Sequence, residues 1–200
     1  MTELYLVRHG QSWHNRNDII AGQLDSALTE QGFKDARSVA SLLDSQSFDR
    51  IYCSDLLRAR QTAETIAEAL NLKGPFVFSR LLRELDYGDF TNRPVKEAFQ
   101  FLNYKVVQDQ RYPGGESFQD LEARLTRFVA QLRQESLGQR LLVTAHAGSI
   151  RMLLIVVDPA HRQDYLAQTF SNRYLGKLEL NDRGALIQYR QIQNPYALST

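Results

Sequence analysis

Leu4-Tyr5-Leu6-Val7-Arg8-His9-Gly10 runs four apolar residues straight into an arginine, a histidine and a glycine. A short unbroken apolar run suits a strand covered on both faces, as in the parallel sheet of an α/β fold. Residues that follow such a strand emerge at its carboxyl end, where open α/β sheets bind ligands. A second segment, Leu141 to Thr144, is built the same way: it delivers Ala145-His146-Ala147-Gly148 and then an apolar helix from Ser149 to Val157, ended by Asp158-Pro159.

Between these segments, apolar strands alternate with helical spacing, the pattern of βαβ units. From Thr29 to Leu43, residues Phe33, Ala36, Ala40 and Leu43 share a face and Thr29 can cap the first turn. Arg50 to Cys53 predicts a strand feeding Ser54-Asp55-Leu56-Leu57-Arg58. In the following helix, Leu56 to Leu70, the residues Leu56, Ala59, Ala63, Ile66 and Leu70 face the core, while Arg58 and Thr62 share another face.

The pattern loses regularity after Lys73-Gly74-Pro75, and about residues 81–115 read as an inserted cap with one more helix. Phe118, Leu121, Leu125, Phe128 and Leu132 restore helical spacing, with Ser117 and Asp120 suited to its first turn. Tyr174 to Leu180 and Ala185 to Ile192, joined by Asn181-Asp182-Arg183-Gly184, predict a C-terminal β-hairpin. The expected architecture is one α/β domain over residues 1–200, with a mainly parallel central sheet flanked by helices, a cap and the hairpin.

Composition excludes several function classes. Twenty-four basic against twenty-three acidic residues leave a formal charge of +1, so no overall field recruits nucleic acid or an anionic membrane. The start of the chain reaches a strand without a charged leader or a long apolar stretch, and a cytoplasmic setting is expected. Cys53 is the only cysteine and reads as a small buried apolar side chain. The four histidines show no paired metal-ligand spacing, and neither a Gly-Lys-Ser/Thr phosphate loop nor a Gly-x-Gly-x-x-Gly turn occurs, so no metal and no cofactor are expected.

The strand exits thus converge Arg8, His9, Arg58 and His146 on one sheet edge. Guanidinium forks match phosphoryl oxygens in charge and geometry, and helix N-terminal amides add donors. Imidazole can attack phosphorus, and a covalent carrier divides one difficult transfer into two easier ones.

Arg8-His9-Gly10-Gln11-Ser12, with Asn15 following, resembles the defining motif of the histidine phosphatase superfamily, which includes cofactor-dependent phosphoglycerate mutases. Ser54 to Thr62 resembles its second arginine segment, Leu82-Arg83-Glu84 its acidic segment and Val143-Thr144-Ala145-His146 its second-histidine segment. The resemblance implies a nucleophile at His9, a phosphate pocket of Arg8, Arg58 and His146, an auxiliary donor at Asn15, and Glu84 as the acid and then base. Such an acid should be partly desolvated. Asp86 competes with Glu84, because register in this irregular segment is not fixed by periodicity. Ala147 stands where many relatives have glycine and could still present its amide to substrate.

The implied activity is metal-independent hydrolysis of a small phosphorylated metabolite through a phosphohistidine. A phosphoglycerate-type mutase and a phosphate-binding regulator with weak turnover are the alternatives. The phosphatase reading leans on Trp13-His14-Asn15 and the compact Tyr87-Gly88-Asp89-Phe90-Thr91-Asn92, which depart from common mutase patterns. In the cap, Arg83, Arg93, Lys96, Lys105 and Arg111 could meet acidic groups, and Phe90, Phe99, Phe101, Tyr104 and Tyr112 could form an apolar wall. Helical spacing of Val95, Ala98, Phe99, Leu102 and Val106 gives the competing role of packing the cap onto the core. Pro113-Gly114-Gly115-Glu116-Ser117 reads as a supporting turn at the site mouth, His14 and His161 as surface residues, and the apolar hairpin as compatible with a homodimer.

Overall fold

The computed structural model describes residues 1–43, 47–101 and 110–192; Leu102, Tyr104, Lys105 and Val106 lie outside the described residues, as do the side chains of Phe99 and Phe101. Strands β1 (Thr2–Arg8), β2 (Arg50–Ser54), β3 (Phe76–Ser79), β4 (Arg140–Ala145), β5 (Leu175–Leu180) and β6 (Leu186–Gln191) form one sheet in the order β3-β2-β4-β1-β5-β6. The first four are parallel where they pair, and β5 and β6 add antiparallel, the latter through the expected hairpin. The helices are α1 (Trp13–Arg16), α2 (Glu30–Leu42), α3 (Leu57–Ala69), α4 (Val95–Phe101), α5 (Phe118–Glu135), α6 (Ala147–Val157) and α7 (Arg162–Ala167).

Alternation along the strands explains why their apolar runs are unbroken. Leu4 and Leu6 of β1, Tyr52 of β2 and Leu141 and Val143 of β4 join α5 and α6 in one core. Tyr5, Val7, Ile51, Cys53 and Leu142 point the other way, against α2 and α3. Both faces are buried, as continuous hydrophobic strands require.

Local chemistry starts the helices. Thr29 accepts a hydrogen bond from Gly32 N at α2, and Ser117 and Asp120 form a reciprocal capping box at α5. Gly10 lies against the carbonyl of Gly32, where any Cβ would overlap it, so glycine is needed for the loop after β1 to reach the start of α2.

One strand departs from the sequence expectation. Residues 76–79, assigned only to an irregular stretch, form β3 at the sheet edge, where they are at most half-buried. Phe76 and Phe78 stack, with ring centroids 6.0 Å apart. The cap region carries short 3-10 turns at Arg80–Leu82 and Gly88–Phe90 before α4. Among the described residues, no helix is long and apolar enough to cross a membrane.

Candidate active site

Register assembles the site. β1 and β4 pair with Val7 opposite Thr144 and Arg8 opposite Ala145, so the next residues, His9 and His146, emerge side by side. Their ring centroids are 5.0 Å apart. On the far side of β4, Cys53 pairs with Thr144, which brings Ser54 level with the same exit.

His9 is 3% exposed, and its hydrogen bonds assign its tautomer. Nδ1 lies 2.8 Å from the Gly10 carbonyl, which can only accept, so Nδ1 carries the proton. Nε2 is then the basic nitrogen, and Arg58 Nε donates to it at 3.2 Å. Burial, reinforced by Arg58 and Arg8, holds the His9 proton affinity well below the ordinary imidazole value. The result is a neutral ring with its lone pair on Nε2.

The backbone around His9 is fixed by residues distant in sequence. Thr62 accepts from Gly10 N at 3.0 Å and donates to the Arg58 carbonyl, so the shared face of Arg58 and Thr62 ties α3 to the β1 exit. Asn172 donates to the His9 carbonyl at 3.0 Å.

His146 is fully buried and likewise held neutral, by desolvation first and then by Arg58. Ser54 Oγ accepts from Leu56 N and lies 2.8 Å from His146 Nε2. His146 Nδ1 is buried without a partner. Arg8 shares this condition: Nη1 donates to the Phe170 carbonyl while buried Nε has no partner. Among the described residues, four buried side-chain N/O atoms lack partners, and two belong to this pair. An unpartnered guanidinium N–H beside a neutral nucleophile suits an incoming oxyanion.

Arg58 is 2% exposed and spans the site floor, donating through Nη1 to Leu24 O and through Nη2 to Gly22 O, each at 2.8 Å. Burial brings its guanidinium down to about 10, with Glu84 opposing and Arg8 reinforcing the fall.

A cavity of about 120 Å³ opens over these groups, lined by Arg8, His9, Asn15, Arg58 and Glu84. Its remaining wall is Ile19, Ile20, Ala21, Gly22, Tyr87, Val95 and Ala98. Glu84 Oε2 accepts from Gly148 N at 3.1 Å. A Cβ at residue 148 would fall on that carboxylate, so this contact requires glycine. Asp86 instead accepts from Gly88 N and does not line the cavity. Asn15 closes a capping box with Ser12 at α1 and accepts from Asn172. Ala147 opens α6 but is outside the cavity lining, as is His146, whose ring adjoins that of His9.

Several expectations need correction. His14 is buried, 8% exposed, with Nδ1 against Ser26 Oγ and Nε2 2.9 Å from Asn92 Oδ1. It joins the post-β1 loop to the cap, where Asn92 N also donates to Ile20 O. His161 is exposed, as expected, beside Asp158.

The described cap cations, Arg83, Arg93, Lys96 and Arg111, do not line the cavity. Arg83 makes two hydrogen bonds to Asp55, Arg111 pairs with Asp120, and Arg93 lies over Phe90 near Glu97. Phe90 and Tyr112 pack with each other, and Tyr112 also packs against Tyr87, so of the described aromatics only Tyr87 reaches the lining. The apolar wall comes largely from Ile19-Ile20-Ala21, an apolar triplet just after the first motif that sequence reading left unassigned.

Holding two histidines neutral has a consequence for stability. Their folded-state affinities lie below the unfolded value of about 6.5. Below that pH the unfolded chain binds more protons, so their contribution is fully present above about pH 6.5 and is lost as pH falls through the lowered values. The unfolding free energy from urea titration, and the midpoint with it, should therefore drop between pH 7 and 5, the former by up to about 1 kcal/mol per pH unit for each histidine. A midpoint that rises over this interval, or the same fall in His146→Asn, would contradict the assignment.

The family model for the histidine phosphatase superfamily (branch 1) matches residues 4–192. A 2,3-bisphosphoglycerate-dependent phosphoglycerate mutase of Methylobacterium radiotolerans is 39% identical over 166 residues, covering 78% of each chain. A mycobacterial glucosyl-3-phosphoglycerate phosphatase, solved with VO3, superposes with a TM-score of 0.82 at 25% identity, covering 96% of this chain and 98% of that one. An Escherichia coli structure shares the fold with a TM-score of 0.86 at 24% identity over 96% of both chains. The chain belongs to the histidine phosphatase superfamily.

Proposed function

We propose that the chain is a metal-independent phosphomonoesterase acting on a small phosphorylated metabolite through a phosphohistidine at His9. The observation that carries this reading is the fixed tautomer of His9, whose basic Nε2 accepts from Arg58 Nε while the residue lines a cavity together with Arg8 and Arg58. In the first step Nε2 bonds to phosphorus, the bond to the leaving oxygen breaks, and the Glu84 proton passes to that oxygen. In the second, water attacks phosphorus, its proton goes to Glu84 and the P–N bond breaks. Arg8, Arg58 and His146 Nδ1 offset charge on the equatorial oxygens.

The wall supports one phosphoryl group attached to a modest organic part. Among the described lining residues, every charged side chain belongs to the phosphoryl cluster, and the rest of the lining, apart from Asn15, Gly22 and Tyr87, is apolar side chain. A mutase must also hold the remaining acid groups of its substrate. That second reading is favoured by the 39% identical relative named as a phosphoglycerate mutase.

A panel of phosphate monoesters, assayed with EDTA for phosphate release and for positional transfer on phosphoglycerate with a bisphosphate primer, separates the two. Release that survives chelation and exceeds transfer is expected. Primer-stimulated transfer exceeding release would install the mutase, and tight binding without either would indicate a regulator.

A further inference from the structure

Arg124 is a guanidinium on the inner face of α5, 7% exposed, three residues after Leu121 and four before Phe128 in the apolar stripe. It does not line the cavity, yet all five of its N–H donors are engaged. Nε and Nη2 donate to the two Glu116 oxygens at 3.0 and 2.8 Å. Nη1 donates to the carbonyls of Leu81 and Arg83, each at 2.8 Å, and Nη2 also donates to Glu84 O at 3.2 Å. Glu116 in turn accepts from Asp86 N at 3.0 Å and donates its own amide to Asp86 O at 2.8 Å.

These contacts all converge on one short stretch. Residues 83–87 lie in no helix or strand, so their polar backbone groups must find partners outside regular structure. Arg124 and Glu116 bracket Glu84 by holding backbone groups before it, at it and after it. The segment's own sequence does not specify which side chain faces the cavity, whereas this clamp does.

We propose that Arg124 and Glu116 are positioning residues that hold Glu84 at the leaving oxygen, and so set the efficiency of proton delivery rather than phosphate capture. The proposal rests on Glu84 being the acid. A lysine at 124 keeps the charge but cannot form the fork or reach three carbonyls.

The test compares an aryl ester with an acidic leaving group, p-nitrophenyl phosphate, with a simple alkyl phosphate that needs protonation. Glu84→Gln should lower alkyl turnover roughly 100- to 10,000-fold with far less effect on the aryl ester. Arg124→Lys and Glu116→Gln should shift the same alkyl-to-aryl ratio roughly 10- to 100-fold, as displacement of a catalytic group does. In the Glu84→Gln background Arg124→Lys should shift the ratio no further.

Equal loss on both esters in the folded clamp variants, or no loss, would reduce the clamp to a structural role and overturn the proposal. Glu116→Gln keeps an acceptor for Asp86 N and serves if Arg124→Lys does not fold. If Glu84→Gln itself fails to change the ratio, the acid assignment falls, and the clamp proposal with it.

Discussion

His9→Ala is expected to keep its affinity for phosphate while losing turnover by about four orders of magnitude or more, as removal of a covalent nucleophile does. The cation cluster explains the retained binding: Arg8 Nε and His146 Nδ1 have no hydrogen bond to the His9 ring, and Arg58 loses its Nε bond to His9 but keeps Leu24 O and Gly22 O through Nη1 and Nη2. The ring supplies something none of them can, a neutral nitrogen that keeps its lone pair because the other nitrogen carries the proton to the Gly10 carbonyl. Rapid quenching with a labelled monoester should trap an acid-labile, base-stable phosphoenzyme in the parent chain and none in the variant. His146 is the control within the same site, its ring 5.0 Å away. Label persisting in His9→Ala and vanishing only in His9→Ala/His146→Ala would move the nucleophile to His146.

The two histidines were legible because the signals that place them are local. Leu4 to Val7 and Leu141 to Thr144 are apolar on both faces, which makes them inner parallel strands, and a strand exit is fixed once its strand is. Strand β3 escaped because an edge strand of four residues is covered less fully and needs no long apolar run. His14 was misplaced for a different reason: its partners Ser26 and Asn92 are 12 and 78 residues away, and nothing in its neighbours announces burial.

Asn172 was equally invisible, since only the pairing of β5 beside β1 carries its turn to the His9 carbonyl. Arg124 could have been found: a guanidinium within an apolar helical stripe is costly to bury unless its donors are satisfied, which predicts a dedicated set of acceptors. Which of Glu84 and Asp86 lines the cavity was not readable from the residues alone, because it depends on the Arg124 bond to Glu84 O and on the contact with Gly148.

Arg58→Lys should separate charge from geometry at the phosphate site. Among the described residues neither Arg8 nor Arg58 forms an ion pair; Arg58 meets two carbonyls and an imidazole, and burial lowers the proton affinity of both cations. Two desolvated guanidiniums therefore lack a nearby hydrogen-bonded anion to offset them, and an oxyanion ligand supplies that charge. Inorganic phosphate at 100 times its dissociation constant should stabilise the parent chain by about 2.7 kcal/mol, a rise in Tm of about 5–10 °C for a chain of this size.

Lysine preserves the charge but not the fork, so Gly22 O, Leu24 O and the phosphoryl oxygens can no longer be met by one planar group. A hundredfold weaker phosphate complex would reduce the shift at that same concentration to about 1 °C, with kcat/KM falling by roughly 100- to 1000-fold. Because the nucleophile is untouched, the phosphoenzyme should still form in Arg58→Lys, only more slowly, which sets this variant apart from His9→Ala. An unchanged phosphate shift together with unchanged kcat/KM would mean that charge alone suffices at position 58. The pairing of Nη1 and Nη2 with the two loop carbonyls would then be a matter of fold rather than of phosphoryl recognition.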